Sequence, residues 1–276
     1  MSQPTSQSPL RGQVAVVTGA AQGLGLATSQ RLASDGAHAI LADLQLDKTE
    51  TEAERLRSSG LAASGAGLDV ADSAAVDAFF SEVRSRHGSV DILANSAGVG
   101  QEVCPVSELG DEEWDRVLRV TLNGTFHCCR AAARIMEEQE SGSIVNFASI
   151  NGQNPAALVS AYNVAKAGVI SLTRTLAVEL AAYGVRVNAV APGPVYTAFN
   201  QRNMAMRSGS LGISEEEMIE KVRQAIPLGR WGEPEDIAQA VAYLCSPDAG
   251  WMTGEVLRVS GGLEGVSAAP PKREKG

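Results

Sequence analysis

Short apolar runs that alternate with longer helical stretches constrain the fold of this chain more than any other feature. Two of these runs, VAVVT at 14–18 and HAILAD at 38–43, have the length and apolar content of buried strands, and the segment between them is long enough for a helix. A repeated strand–helix–strand pattern favours a parallel sheet covered by helices on both faces. The sequence therefore predicts an α/β fold.

The same alternation continues along the chain, without an internal repeat. Further strands are predicted at 63–69, 91–96, 143–149, 185–192 and 255–260. Helices are predicted at 24–36, 47–59, 73–87, 112–138, 156–183 and 234–245. We expect one catalytic domain at 13–263, between flexible segments at 1–12 and 264–276 that are rich in Ser, Pro or charged residues.

A glycine-rich turn, in VVTGAAQGLGLA, joins the first predicted strand to the first predicted helix. Gly19, Gly23 and Gly25 follow Thr18 in the spacing T-G-x-x-x-G-x-G. Glycines let the backbone approach a phosphate closely, and the helix that follows offers free N–H groups and the positive end of its dipole. In this strand-to-helix context the turn predicts a site for the pyrophosphate of a dinucleotide.

Asp43 ends the second predicted strand, 18 residues after Gly25. A carboxylate at this point accepts hydrogen bonds from the adenosine ribose hydroxyls and repels a 2′-phosphate. The neighbouring Gln22, Leu44 and Gln45 carry no charge that would offset the repulsion. The pattern favours NAD over NADP.

Further motifs resemble the short-chain dehydrogenase/reductase family over residues 14–262. The motifs are Thr18-Gly19-x-x-x-Gly23-x-Gly25, Asp69-Val70, Asn95-Ser96-Ala97-Gly98, Asn123, Ser149 thirteen residues before Tyr162, Tyr162-x-x-x-Lys166, and Pro192-Gly193 with Thr197. Two positions depart from the family pattern. Ser96 stands where the family has Asn, and Ser260 stands where it often has Asp. The resemblance implies a doubly wound Rossmann fold with a mostly parallel seven-stranded sheet and helices on both faces. It also implies an NAD-dependent enzyme acting on CH–OH groups.

The resemblance assigns site residues position by position. The catalytic residues would be Asn123, Ser149, Tyr162 and Lys166, and the substrate would contact Ser149, Asn151 and Tyr162. The NAD-binding residues would be Gly19, Gln22, Gly23, Leu24, Gly25, Asp43, Leu44, Asp69, Val70, Asn95, Ala97, Gly98, Tyr162, Lys166, Pro192, Gly193, Val195 and Thr197.

Tyr162 and Lys166 are four residues apart and so share one face of a predicted helix. Lowering a tyrosine pKa from about 10 to about 7 requires about 4 kcal/mol. One ammonium at about 4 Å, in an effective dielectric of about 20, supplies energy of that order. We expect Tyr162 to be the base in alcohol oxidation and the acid in ketone reduction. Ser149 would hydrogen-bond the substrate oxygen, and Lys166 would bind the nicotinamide ribose. By resemblance, Asn123 would hold a water that relays protons from Lys166.

A substrate lid is expected at about 194–226, where the family varies most. SEEE at 214–217 fits a capping box and predicts the start of a lid helix. The residue type favours surface positions for Arg202 and Arg207, with binding of an anionic substrate as the alternative. Asn151 and the polar residues after it suggest a hydroxylated or otherwise polar substrate.

Composition argues against several other functions. A net charge of -9 provides no basic surface for nucleic acid or an anionic membrane. The three histidines lack metal-ligand spacing, and the four cysteines contain no C-x-x-C pair, so no metal site is expected. No apolar run reaches membrane-spanning length, and no signal-peptide core is present. We expect a cytoplasmic protein.

The sequence thus predicts NAD(H)-dependent interconversion of a secondary alcohol, such as a polyol, and its ketone. A 3-oxoacyl-(carrier protein)-type reductase is an alternative, disfavoured by Asp43 and by the acidic composition. A diketone, acetoin or steroid dehydrogenase remains open. A non-catalytic NAD-binding sensor is disfavoured because Ser149, Tyr162 and Lys166 are all present. The two long helices resemble those that pair in the family's oligomers, so a homo-oligomer, a tetramer, is expected.

Overall fold

A computed structural model describes residues 8–265 of the 276-residue chain. Residues 1–7 and 266–276, which form most of the two segments expected to be flexible, lie outside the described residues. The described part of the first segment packs against the domain. Leu10 is buried, and its backbone N–H donates to the carbonyl of Asp35 at 2.9 Å.

Seven parallel strands form one sheet in the order β3-β2-β1-β4-β5-β6-β7. The strands are β1 (Val14–Thr18), β2 (His38–Asp43), β3 (Ala63–Gly67), β4 (Ile92–Asn95), β5 (Gly142–Phe147), β6 (Val185–Pro192) and β7 (Val256–Val259). The strand order reverses between β1 and β4, and in sheets of this kind a crevice opens there, beyond the carboxyl ends of the strands. The predicted α/β fold with a seven-stranded parallel sheet is confirmed.

Helices cover both faces of the sheet. They are α1 (Gly23–Ser34), α2 (Leu46–Ser58), α3 (Ser73–His87), α4 (Asp111–Leu118), α5 (Gly124–Gln139), α6 (Ile150–Gln153), α7 (Ser160–Leu180), α8 (Ala198–Leu211), α9 (Glu215–Ala225) and α10 (Pro234–Cys245). Alternate residues of each strand face opposite layers. Ala15 and Val17 pack in the cluster that includes α1 and α10, whereas Val14 and Val16 pack in the cluster that includes α3 and α5.

Two long helices differ from their predicted form. The helix predicted at 112–138 is divided into α4 and α5 by a π-helical segment, Arg119–Asn123. The helix predicted from 156 begins only at Ser160, because Leu158 has a φ of 71°, in the left-handed region that an α-helix excludes.

The predicted lid folds into two helices above the sheet. Ser214 caps α9 by accepting a hydrogen bond from the backbone N–H of Glu217 at 3.1 Å, at the helix start that the sequence predicts. Met204 from α8 and Met218 from α9 are buried together with Trp231. Within residues 8–265 no helix combines the length and the apolar character needed to cross a bilayer.

Candidate active site

The glycine-rich turn packs tightly at the carboxyl end of β1. A Cβ added at Gly25 would lie 2.2 Å from the carbonyl oxygen of Gly19, and one added at Gly19 would lie 2.8 Å from the Cα of Ala97. Gly19 also has a φ of 66°, in the region that favours glycine. Larger residues would therefore push the turn away from the loop after β4. The turn and the N-terminus of α1 form one end of a cavity of about 610 Å³.

Asp43 lies beside this turn with its carboxylate held by the backbone. Its Oδ2 accepts a hydrogen bond from the N–H of Ala21 at 3.2 Å, and its Oδ1 accepts one from the N–H of Gln45 at 3.0 Å. The Nζ of Lys48 donates to the Oε1 of Gln45 at 2.6 Å. The side-chain amide of Gln45 also donates to the Oδ1 of Asp43 at 3.4 Å, so Gln45 links the ammonium of Lys48 to the carboxylate.

Most of the predicted NAD and substrate residues line this single cavity. They are Gly19, Gln22, Gly23, Leu24, Gly25, Asp43, Leu44, Asp69, Val70, Ala97, Gly98, Ser149, Asn151, Tyr162, Lys166, Pro192, Gly193, Val195 and Thr197. Asn95 does not line it. Its side chain is buried between strands, where Nδ2 donates to the Oδ1 of Asn146 at 2.9 Å, so Asn95 connects β4 to β5.

Ser149, Tyr162 and Lys166 meet near the middle of the cavity. Ser149 is buried and hydrogen-bonded to Tyr162, and its Oγ also accepts from the N–H of Asn151 at 3.1 Å. Lys166 is buried on the next turn of α7, and its Nζ donates to the carbonyl of Phe147 at 2.5 Å. The tyrosine and the lysine therefore share a helix face. The last residue of β5 supplies the carbonyl that holds Lys166, and Ser149, between β5 and α6, supplies the hydroxyl bonded to Tyr162.

Burial controls the protonation of this pair. It raises the pKa of Tyr162, and the hydrogen bond with Ser149 lowers that pKa only in part. Burial also lowers the pKa of Lys166 to about 8. Without a cofactor, the desolvation of the phenolate thus outweighs the hydrogen bond with Ser149, and the ammonium of Lys166 lies 5.7 Å from the ring centroid. The predicted role of Tyr162 as a base also depends on the positive charge of an oxidised nicotinamide.

Gln101, which sequence reasoning missed, fixes the start of α7. Its side chain is buried, and its Oε1 accepts a hydrogen bond from the backbone N–H of Tyr162 at 3.2 Å. This N–H belongs to the first turn of α7 and so has no partner within the helix. Gln101 is 61 residues away in sequence, too far for a local capping pattern to reveal it.

The structure does not bring Asn123 to the site. Asn123 is exposed and does not line the cavity, whereas Thr121, two residues earlier, is buried. Residues two apart lie on nearly opposite sides of an α-helix or a π-helical turn. The prediction of Asn123 as a catalytic residue is therefore corrected. Asn123 has the residue type of the family's catalytic Asn, but its position on the helix exposes it at the surface.

Thr121 occupies the inner face of the π-helical segment. Its Oγ1 accepts from the N–H of Val99 at 3.2 Å and lies 3.5 Å from the carbonyl of the same residue. A Cβ added at Gly98 would lie 3.5 Å from this Oγ1 and 3.7 Å from the Nζ of Lys166. Thr121 thus holds the loop after β4 beside Lys166. A π-helical turn often marks a functional position.

The lid forms the other end of the cavity. Phe199, Asn203 and Arg207 are four residues apart on α8 and all line the cavity, and the ring of Phe199 lies 6.1 Å from that of Tyr162. Arg207 is partly buried, which lowers its pKa, whereas Arg202 on the same helix is exposed. The prediction of a surface position holds for Arg202 and is wrong for Arg207, because α8 turns only Arg207 inward.

The chain is similar to a known protein family and to characterised enzymes. Residues 19–264 match the family described as enoyl-(acyl carrier protein) reductase. The chain is 38% identical to cis-4-hydroxycyclohexanecarboxylate dehydrogenase of Sinomonas cyclohexanicum, over 92% of this chain and 97% of that protein.

Two solved structures share the fold. A xylitol dehydrogenase with NAD+ bound superposes with a TM-score of 0.87 and 32% identity, over 92% of this chain and 99% of that one. An actinorhodin polyketide ketoreductase with NADPH superposes with a TM-score of 0.88 and 34% identity, over 92% and 98%. Nicotinamide cofactors of both kinds thus occur among these neighbours.

Proposed function

The chain belongs to the short-chain dehydrogenase/reductase family and is an oxidoreductase of hydroxy or keto compounds. On this premise we propose that it interconverts a polar secondary alcohol and its ketone with NAD(H). The observation that carries the proposal is the position of Ser149, Tyr162 and Lys166 between the two ends of one cavity. One end has the glycine-rich turn and Asp43, and the other is formed by the lid.

The glycine end fits a dinucleotide. The close packing at Gly19 and Gly25 brings the backbone of the turn and the N-terminus of α1 to the cavity wall without side chains in between. The carboxylate of Asp43, which two backbone N–H groups hold, supports this proposal because it would accept hydrogen bonds from the adenosine ribose. Lys166 would hold the nicotinamide ribose. The structural neighbours are named with NAD+ in one case and NADPH in the other, so they do not favour either cofactor. Our inference of NAD rather than NADP therefore rests on Asp43.

The protein's own residues supply the proton chemistry. Ser149 hydrogen-bonds the substrate oxygen, and Tyr162 removes the proton of an alcohol or gives a proton to a ketone. A bound nicotinamide supplies the hydride acceptor or donor and, when oxidised, a positive charge. Because burial raises the pKa of Tyr162, its hydroxyl stays protonated and acts as the acid in ketone reduction. Its role as base requires a positive charge beside it in addition to that of Lys166.

Two comparisons support a polar hydroxylated substrate. The 38% identical relative is named for a cyclic hydroxy acid, and one structural neighbour is named for a linear polyol. Asn151, beside Ser149, adds a side-chain amide to the cavity wall. A cyclic or linear compound with several polar groups is therefore the substrate class that we propose.

The proposed assembly is a homo-oligomer, a tetramer, that pairs through α5 and α7. Three large apolar side chains of these helices are exposed: Phe126 at 41%, Val164 at 46% and Val178 at 80%. Exposed apolar side chains on two adjacent helices are typical of a surface that a second copy covers.

The test of the activity is an assay of NAD+ with a panel of polyols, cyclic alcohols and hydroxy acids, followed by NADH absorbance. Tyr162→Phe removes only the hydroxyl, so the protein should fold and bind NAD+ while turnover falls by at least about a hundredfold. Tyr183→Phe is the matched control, because Tyr183 is 41% exposed and lies outside the cavity wall. Near-wild-type turnover of Tyr162→Phe on the best substrate would contradict the mechanism.

A further inference from the structure

The guanidinium of Arg207 lies in the cavity wall without a partner. Within residues 8–265 it forms no ion pair and no hydrogen bond, and burial is the cause of its lowered pKa. In the lid, Arg223 pairs with Glu220 at 2.6 Å and Arg202 is exposed to solvent, and just after the lid Arg230 pairs with Asp236 at 2.7 Å. A partly buried charge that lacks a partner lowers stability. The position of Arg207 therefore requires an explanation that the fold does not supply.

The surroundings of Arg207 are otherwise uncharged. Of the described residues that line the cavity, the charged ones besides Arg207 are Asp43, Asp69 and Lys166. Asp43 ends β2 and Asp69 lies two residues after β3, both away from the lid, and the Nζ of Lys166 is bonded to the carbonyl of Phe147. No carboxylate of the described chain therefore shares the lid end of the cavity with Arg207.

We propose that Arg207 binds a carboxylate of the substrate, so that the enzyme acts on hydroxy acids and keto acids rather than on neutral alcohols. The proposal rests on the proposed function, of which it narrows the substrate class. A guanidinium presents two parallel N–H donors that match the two oxygens of a carboxylate, and the pair is strongest where water is excluded. The carboxylate of the substrate would supply the negative charge that the lid end of the cavity lacks.

The geometry separates this carboxylate from the reacting carbon. Phe199 lies against Tyr162, and Arg207 is eight residues further along α8, about 12 Å along the helix axis. The hydroxyl and the carboxylate are therefore at opposite ends of the substrate rather than on neighbouring carbons.

Besides Asn200 and Asn203, the lid end of the cavity has a buried apolar wall. Met204, Met218, Val222 and Trp231 line it, and all four are buried. Apolar walls favour a hydrocarbon ring or chain as the body of the substrate. The ligand that fits both features is a carboxylic acid with an apolar body and a distant hydroxyl group.

Equilibrium binding tests the inference without turnover. The probes are cyclohexanecarboxylate and the neutral cyclohexanecarboxamide, titrated calorimetrically into the NAD+-saturated protein. The unmutated protein should bind the carboxylate at least about tenfold more tightly than the amide. Arg207→Met should abolish that preference, and Arg207→Lys should keep part of it. Arg202→Met, on the exposed side of α8, is the matched control and should keep all of it.

The outcomes separate this inference from the proposed function. The carboxylate role of Arg207 is overturned if the unmutated protein binds both probes equally or if Arg207→Met keeps the preference for the carboxylate. It is also overturned if Arg207→Met weakens NAD+ binding instead, because the arginine would then belong to the cofactor site. Turnover of neutral alcohols without any carboxylate preference would leave the proposed function standing alone. A carboxylate preference that depends on Arg207, without turnover of any panel alcohol, would support this inference and count against the proposed function.

Discussion

We predict that cofactor choice depends on the charge of Asp43, which can be removed with little change of shape. Asp43→Asn keeps the shape but only one acceptor oxygen, so it can accept the hydrogen bond of Ala21 or that of Gln45, which bind different oxygens of Asp43, but not both. Asp43→Ser removes the carboxylate and opens space beside the turn. Both variants should narrow the preference for NAD+ over NADP+, mainly because the efficiency with NADP+ rises. Leu44→Arg, added to Asp43→Ser, should narrow it further by supplying a cation for the 2′-phosphate.

The size of the effect follows from the fixed position of the carboxylate. A 2′-phosphate of charge near −2 at about 5 Å, in an effective dielectric of about 40, is repelled by about 3 kcal/mol. Each 1.4 kcal/mol is about a tenfold change in affinity. The ammonium of Lys48, held by Gln45, offsets part of this repulsion. We therefore expect kcat/KM to favour NAD+ over NADP+ by at least about a hundredfold in the unmutated protein.

The assay is steady-state kinetics with both cofactors at a saturating concentration of the best alcohol. Asp47→Ser is the matched control, since Asp47 is an exposed carboxylate four residues away that does not line the cavity. It should leave the ratio unchanged. Equal efficiencies of NAD+ and NADP+ in the unmutated protein would refute the reasoning. A loss of NADP+ efficiency in Lys48→Gln would then identify Lys48 as the residue that reaches the phosphate.

Three further predictions concern Lys166, the π-helical segment and the oligomer. Because burial lowers the pKa of Lys166 from 10.5 to about 8, the unfolded chain binds more protons between these values and stability rises with pH there. Lys166→Met should therefore stabilise the cofactor-free protein by up to about 3 kcal/mol at pH 7. Denaturant unfolding at a series of pH values should show this difference in stability disappear near pH 10.5, and a difference that does not change with pH would contradict the prediction. Thr121→Val should lower kcat/KM by about tenfold through loss of its bonds to the loop after β4, and a larger loss in Asn123→Ala would contradict the placement of these residues. Light scattering at micromolar concentration should give the mass of an oligomer that Val178→Glu disrupts, and a monomeric unmutated protein would refute the proposed assembly.

Elements whose ends are marked by local chemistry could be predicted to the residue. The strand Val14–Thr18 is an apolar run that stops at the glycine turn. The helix Ser73–His87 begins after Asp72, whose carboxylate accepts from the N–H groups of Ala74 and Ala75, and it ends at Gly88 in the left-handed conformation. Caps and turns act over three or four residues, so the sequence contains the whole signal.

Elements that depend on distant contacts could not be predicted. The helix α8 (Ala198–Leu211) has a sequence that is half polar, with a glycine near its end, and it is stabilised by Met204, which packs against Met218 and Trp231. The late start of α7 follows from the backbone of Leu158 and from the cap that Gln101 provides. Neither interaction has a pattern of nearby residues that would reveal it.

The sequence by itself determined the sheet, the glycine turn, Asp43 and the Ser149, Tyr162 and Lys166 cluster, because each follows from a spacing or a residue type along the chain. Only the tertiary structure decided which side chains face the cavity. It turned Asn123 outward and Thr121 inward, and it placed Arg207 in the wall without a partner. The physical reason is that the direction of a side chain and the cost of its burial depend on what packs against the helix.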